Sequence, residues 1–414
     1  MSPKILVLSY WDNPAEGHGF SLHKHLLECG CDSYFLSYVS EYTHENPHYF
    51  VDTRSWWDKF CFHLKKKLHP AYKRLPNKEE YALLNPKFCY IGNAKSILKK
   101  IGIKPDIIVF TWCDYFISPK VIYDLYKKTG AKIVISLTDA HFIGGGCHFP
   151  CDCTQYETGC QQCPVLKDSK PTRQLYNEKV RYLSNMPMKL VGSSYDLMRA
   201  RKTKFFQEKE MKPIIIVPEI PMNMKQVEAR KHFGFADNVF VIMCGGASLR
   251  DKRKGFSLFL AALRKFAKSI NENRQVVLLL LGKGQIELTN NFNNQEISVV
   301  QPGFLDMKEL FMAFYASDLF ASTSIDDSGP VMVNYSIACG TPVLSFPVGA
   351  AQDLVKDEET GYMAKFLDVD DLARGIEKFY FMDKREYQRY SENCRFLMEK
   401  LKKNITPWYL SVLE

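Results

Sequence analysis

The chain has no apolar run long enough to cross a bilayer. Its apolar runs, Val276 to Leu281 among them, fall far short of the ~20 residues a spanning helix needs. No leader is expected either. Met1-Ser2-Pro3-Lys4 runs straight into Ile5-Leu6-Val7-Leu8, with no charged n-region, long apolar core or cleavage site. A cytoplasmic chain is expected, free or peripheral on the inner membrane. The complete G-x-G-x-x-G fingerprint is absent, which makes a dinucleotide oxidoreductase a poor reading. Hydrophobic residues make up 46% of the chain, so disorder is excluded for its bulk. In a reducing compartment the 13 Cys are expected as thiols or metal ligands rather than disulfides.

At 414 residues the chain is too long for one core. Strands and helices alternate from end to end, which predicts parallel sheets with crossover helices. Strands are expected at 4–9, 33–38, 106–111, 132–137 and 188–193, then near 239–244, 275–281, 297–300, 318–322, 343–346 and 361–364. A closing helix is expected at 385–403. The three prolines between Pro213 and Met224 suggest a connector. The division is therefore an N-terminal domain over 1–215, a second domain over 216–405, and a segment 406–414. Charge is uneven. Residues 1–215 hold 31 Lys and Arg against 21 Asp and Glu, while 216–414 hold 24 against 25. The basic half suggests an anionic partner, or simply a solvated surface.

Several segments carry candidate chemistry. From Ala321 to Gly349 the pattern is a strand end, a turn with Asp326 and Asp327, a helix opened by Gly329-Pro330 and stopped by Gly340-Thr341-Pro342, and a second strand. Strand ends that open onto helices are where α/β proteins bind anions and phosphorylated ligands. The loop Cys244 to Phe256 also follows a strand, and four of its five residues from Arg250 to Lys254 are cationic. Fixed cations and N–H donors suit a diphosphate. An exposed charge cluster is the alternative. Gly17-His18-Gly19 after the first strand admits close phosphate approach, or is a plain turn. Cys147, Cys153, Cys160 and Cys163 give C-x5-C-x6-C-x2-C, with Cys151 extra. That pattern suits a structural Zn²⁺, with free thiols or disulfides as alternatives. No basic helix accompanies it, so no nucleic-acid partner is expected. Residues 55–75 pattern as a basic amphipathic helix, for an anionic membrane surface or for packing on the domain.

The run Ala338-Cys339-Gly340-Thr341-Pro342-Val343 resembles the donor-site signature of retaining family 4 glycosyltransferases, in which two Glu eight residues apart precede it. Asp327 falls on the first position and Tyr335 on the second. Lys254-Gly255 is similar to the family's phosphate-binding loop, with Arg250 or Arg253 as its arginine. The Cys-rich stretch 144–164 resembles an insertion found in surface-polysaccharide members. The resemblance implies a GT-B fold, with two doubly wound Rossmann-like parallel-sheet domains facing each other across a cleft. It implies an acceptor-side first domain, a nucleotide-sugar domain, and a last helix returning at 406–414. It further implies retaining hexosyl transfer, without a catalytic metal, from a nucleotide diphosphate sugar to a lipid-linked or oligosaccharide acceptor. Donor contacts would come from Gly17, Gly19, Arg250 or Arg253, Lys254, Asp327, Gly329 and Tyr335. Thr138 and Asp139 would line the acceptor side, Thr138 standing where relatives have His. Thr138 and Tyr335 also motivate a rival, a catalytically impaired scaffold that binds nucleotide sugar or a partner enzyme. A sugar-nucleotide epimerase is a further rival.

Overall fold

The structure is a computed structural model. It describes residues 2–12, 18–40, 48–51, 60, 64, 82–83, 93–114, 116–215, 217–220, 222–270, 274–284, 297–329, 331–412 and 414. Gly17, Pro330 and nearly all of the candidate amphipathic helix 55–75 lie outside the described residues. The chain divides into two compact units, Met1–Ile216 with Lys403–Glu414, and Val217–Lys402.

In the first unit the strands β1 (Lys4–Trp11), β2 (Asp32–Val39), β3 (Tyr49–Val51), β5 (Ile107–Phe110), β6 (Lys132–Leu137), β8 (Lys189–Gly192) and β9 (Glu210–Pro213) form one sheet in the order β3-β2-β1-β5-β6-β8-β9. Every pairing in it is parallel. The continuous apolar runs explain this. Ile5 to Leu8 and Ile107 to Phe110 are all fully buried, as strands covered on both faces must be. Capping sets the crossover helices. Pro119–Thr129 has Pro119 in its first turn, a Ser118 side chain that accepts from the Val121 N–H, and Gly130 in the left-handed conformation at its end. The two remaining strands, β4 (Ala82–Leu83) and β7 (Cys147–Phe149), pair antiparallel.

The second unit holds β10 (Phe240–Ser248), β11 (Val276–Lys283), β12 (Ile297–Gly303), β13 (Leu319–Ser322), β14 (Val343–Ser345) and β15 (Gly361–Met363) in the order β12-β11-β10-β13-β14-β15, again all parallel. In both sheets the strand order reverses once, at β1/β5 and at β10/β13. The crevice beyond the carboxyl ends of such a pair is where open α/β sheets bind ligands.

The expected strands are all present. The short strands β3, β4, β7 and β9 were not expected, because two to four residues carry too little periodicity to register. The closing helix also differs. It was expected to stop at 403 but runs Lys384–Ser411 with Pro407 inside it. Burial overrides the proline. Ile405, Trp408, Tyr409 and Val412 share a core with Ile5, Val7, Ile107 and Val109, and Thr406 Oγ1 lies 3.2 Å from His25 Nε2. No described helix is long and apolar enough to cross a membrane.

Candidate active site

Two polar clusters stand at the two switch points. In the second unit, β10 carries Gly245-Gly246 near its end and leads from Ser248 into the cationic loop, while β13 leads into Thr323 to Asp327. Short polar bonds staple these loops together. Ile325 N–H donates to the Arg253 carbonyl at 2.8 Å, and Thr323 Oγ1 donates to the Lys254 carbonyl at 3.1 Å. The staple demands glycine at 255. Its φ is +65°, and a Cβ there would sit 1.9 Å from the Thr323 carbonyl oxygen. Gly349 is equally constrained, since a Cβ would meet the carbonyl oxygens of Asp327 and Ser328 at 2.6 Å.

The result is a buried carboxylate between two cations. Lys254 Nζ lies 2.5 Å and Arg253 Nη1 3.0 Å from Asp327 Oδ2. Arg253 also donates to the Asp326 carbonyl at 2.8 Å and to the Asp251 carboxylate at 3.1 Å. Burial opposes ionisation of Asp327, yet Lys254 and Arg253 together hold its pKa below the ordinary value. The cations differ in access. The Arg253 side chain is 10% exposed and the Lys254 side chain 25%, so the ammonium can reach an incoming anion while the guanidinium is committed to the protein. The Lys254 stem passes over Gly246, 3.7 Å from where a Cβ would stand.

The structure thus brings together Arg253, Lys254 and Asp327. Arg250 is exposed and lies along Gly284 instead. Gly329 is half-buried beyond Asp327. Tyr335 is buried with its ring against Phe311 and Phe314, and burial pushes its hydroxyl up to about 12. In the first unit Gly19 packs helix His18–Glu28 onto the sheet, where a Cβ would meet Thr111 Oγ1 at 2.6 Å.

The second cluster stands at the carboxyl ends of β1, β5 and β6. Buried Asp139 accepts from the Trp112 indole N–H at 2.7 Å and the His141 backbone N–H at 2.8 Å, and His141 Nδ1 lies 2.6 Å from it. His148 on β7 places Nδ1 on Asp139 and Nε2 3.2 Å from Asp114 Oδ2. Both ring nitrogens of His148 therefore donate, which makes it an imidazolium. Burial disfavours that charge, but the two carboxylates outweigh it and push its pKa up to about 10. Asp139 is correspondingly held well below its usual value. Asp139, His141 and His148 also form a group whose ligand atoms lie within 4.8 Å of one another. The His148 nitrogens already face carboxylates, so hydrogen bonding accounts for that group without an ion. Lys179, fully buried, donates to the carbonyls of His141 and Gly144. Thr138 Oγ1 is buried with no hydrogen-bond partner among the described residues. Tyr10, Trp11 and Trp112, all half-buried, pack as an aromatic group with centroids 5.3–5.5 Å apart.

Sequence reasoning missed Trp112, Asp114, His148 and Lys179. Their only available signal was position, since Trp112 and Asp114 follow an apolar strand directly.

Residues 226–395 match the model of the family described as glycosyl transferases group 1. The match lies within the second unit, Val217–Lys402. No curated protein sequence matches the chain. Among solved structures it is similar to sucrose-phosphate synthase from Thermosynechococcus elongatus, with 16% identity, TM-score 0.64, and coverage of 98% of this chain and 97% of that one. It is also similar to a glycosyltransferase from Rickettsia africae, with 14% identity, TM-score 0.60, and coverage of 100% and 99%. Anabaena HepE, solved with UDP and glucose, gives 15% identity, TM-score 0.57 and 99% coverage of both. The two parallel-sheet units and these neighbours establish the GT-B fold, built from two Rossmann-like domains.

Proposed function

We propose that the chain is a retaining, metal-independent hexosyltransferase. It would move sugar from a nucleotide diphosphate donor to a lipid-linked or polysaccharide acceptor in bacterial surface glycan synthesis, working from the cytoplasmic side of the membrane. The convergence of Lys254, Arg253 and Asp327 at the β10/β13 switch point carries this reading. HepE was solved with UDP-glucose as well as UDP, which supports a nucleotide sugar as donor.

The chemistry follows from charge. As the glycosidic bond breaks, negative charge grows on the leaving diphosphate, and a fixed ammonium in a partly desolvated site stabilises it. Lys254 has the access for this. Arg253 positions Asp327, which orients sugar hydroxyls. On the first unit the half-buried aromatic group offers the acceptor ring-stacking contacts, with the Trp112 indole N–H held on buried Asp139 next to Thr138.

The test is turnover of a panel of nucleotide sugars by wild type and by Lys254→Ala. Donor-dependent turnover that falls at least about a hundredfold in the variant is expected. Wild-type turnover by Lys254→Ala would overturn the assignment. Tyr335 favours a second reading, a nucleotide-sugar-binding scaffold, because a buried phenol replaces the acid expected there. Tight donor binding with neither hydrolysis nor transfer would select it.

A further inference from the structure

The basic excess of the first unit has a location. On one face of its sheet, Leu6, Leu8, Ile108, Phe110, Ile133 and Ile135 share a core with three helices, through Ile97 and Ile101 of Ala94–Ile101, Ile122 and Leu125 of Pro119–Thr129, and Tyr176 and Leu183 of Lys170–Leu183. The opposite face, through Ile5, Val7, Ile107 and Val109, packs on helix His18–Glu28 and on the end of the closing helix. The three helices therefore lie side by side, with Pro119–Thr129 touching both of the others. Together they carry ten Lys and Arg against two acids, Asp124 and Glu178. Only Lys179 of the ten is buried, and the other nine are exposed. Among the described residues only Lys120 of those nine has a carboxylate partner, Asp124 at 2.5 Å.

An ordinary solvated surface mixes both signs. Helix dipoles do not explain the excess either, since they favour acids in a first turn and cations in a last one. None of the three helices has an acid in its first turn, and Lys95, Lys120 and Lys170 stand there instead. Helices of the second unit follow the rule, with Glu228, Glu309 and Asp371 in their first turns. Cations set against a dipole and left without carboxylates call for an anion from outside. Half-buried Tyr123, Tyr126 and Tyr182 stand among them. The rings of Tyr123 and Tyr182 are 5.8 Å apart, with Lys127 Nζ 5.9 Å from the first centroid and Arg181 Cζ 5.4 Å from the second. Rings with an apolar body and a wet tip, interleaved with Lys, suit a membrane interface. Seven of the nine exposed cations are Lys, point charges that match a diffuse layer of headgroups, whereas nucleic-acid readout favours the planar fork of Arg. All three tyrosines pack on the core, so their faces are not offered to bases.

We propose that the outer face of these three helices docks the chain on an anionic lipid bilayer. Each Lys or Arg near such a surface adds about fivefold to binding, and the attraction fades within a Debye length. The docking follows from charge and does not depend on the transferase reading. On that reading it would hold the enzyme beside a lipid-linked acceptor.

The test is co-sedimentation of the full-length chain with vesicles of phosphatidylcholine, with and without phosphatidylglycerol. Binding at least about tenfold stronger to the anionic vesicles is expected, and its loss in about 1 M salt, where the Debye length is ~3 Å. Lys95→Gln, Lys99→Gln and Lys100→Gln combined should weaken it about a hundredfold, with circular dichroism and donor turnover unchanged. Lys231→Gln, Lys308→Gln and Lys384→Gln combined remove the same charge from the second unit and should cost less than about fivefold. Equal binding to both vesicles, or none, would overturn the docking face. So would an equal loss in the two triple variants, which would reduce the effect to net charge. Tighter binding to duplex DNA or RNA than to the anionic vesicles, lost in the first triple variant, would give the face to nucleic acid instead. A chain that docks but turns over no donor would fail the transferase reading and leave this inference standing.

Discussion

The two switch points hold opposite solutions to the same problem. At β10/β13 two cations share one carboxylate, and the ammonium is a quarter exposed. At β1/β5 two carboxylates share one imidazolium, and His148, Asp114 and Asp139 are all buried. The first is a charge held in reserve for an anion. The second is a closed network whose charges answer each other, with an aromatic face beside it. On the proposed function, a diphosphate would meet the former and a neutral sugar ring the latter.

The largest expected effect separates the two directly. Lys254→Ala should reduce donor turnover by about 10²–10³-fold while losing less stability than His148→Phe, because Arg253 still pairs with the Asp327 carboxylate. His148→Phe should do the reverse in its first readout. Removing the imidazolium leaves Asp139 and Asp114 buried without their shared donor, a loss of about 3–5 kcal/mol that chemical denaturation measures. If His148→Phe unfolds at the wild-type denaturant concentration, the closed-network account of the first unit fails.

Asp327→Asn tests the reserve charge from the other side. The variant keeps the shape but leaves Lys254 and Arg253 less paired, and a destabilisation of about 1–3 kcal/mol is expected. It also has a pH signature. The folded Asp327 pKa is depressed below its unfolded value of 3.8, so its stabilisation is fully present above that value and lost as pH falls through the folded one. Wild type should therefore lose its advantage over Asp327→Asn on acidification below about pH 4. An advantage that persists unchanged to pH 2 would refute the pairing.

What the sequence disclosed follows the same divide. The cation cluster of the second unit was legible because Arg253, Lys254 and Gly255 are contiguous, and Asp327 stands a fixed distance before Ala338-Cys339-Gly340. Their meeting depends on loop staples that periodicity cannot show, and the choice of Arg253 over Arg250 came only from burial. The cluster of the first unit is assembled from Trp112, Asp114, Asp139, His148 and Lys179, spread over 68 residues of chain and joined through a three-residue strand. None of these pairs has a local signature. The long apolar strands were read correctly because burial on both faces writes itself as continuous Val, Ile and Leu. Helix Lys384–Ser411 was cut short because Pro407 is a valid local stop, and only the core around Trp408 and Tyr409 outvotes it.

Tyr335→Phe should have the smallest effect, and it sharpens the comparison most finely. The ring sits at 5.1 Å from Phe311 and 6.4 Å from Phe314, so its packing survives removal of one oxygen. Were the hydroxyl only a passenger in that core, stability should change by no more than about 0.5 kcal/mol, and donor affinity by calorimetry should be unchanged. A several-fold loss of nucleotide-sugar affinity with unchanged stability would mean that the phenol has taken over the work of the missing acid. The second unit would then bind its donor through a buried neutral group as well as through charge, and the contrast between the two switch points would narrow accordingly.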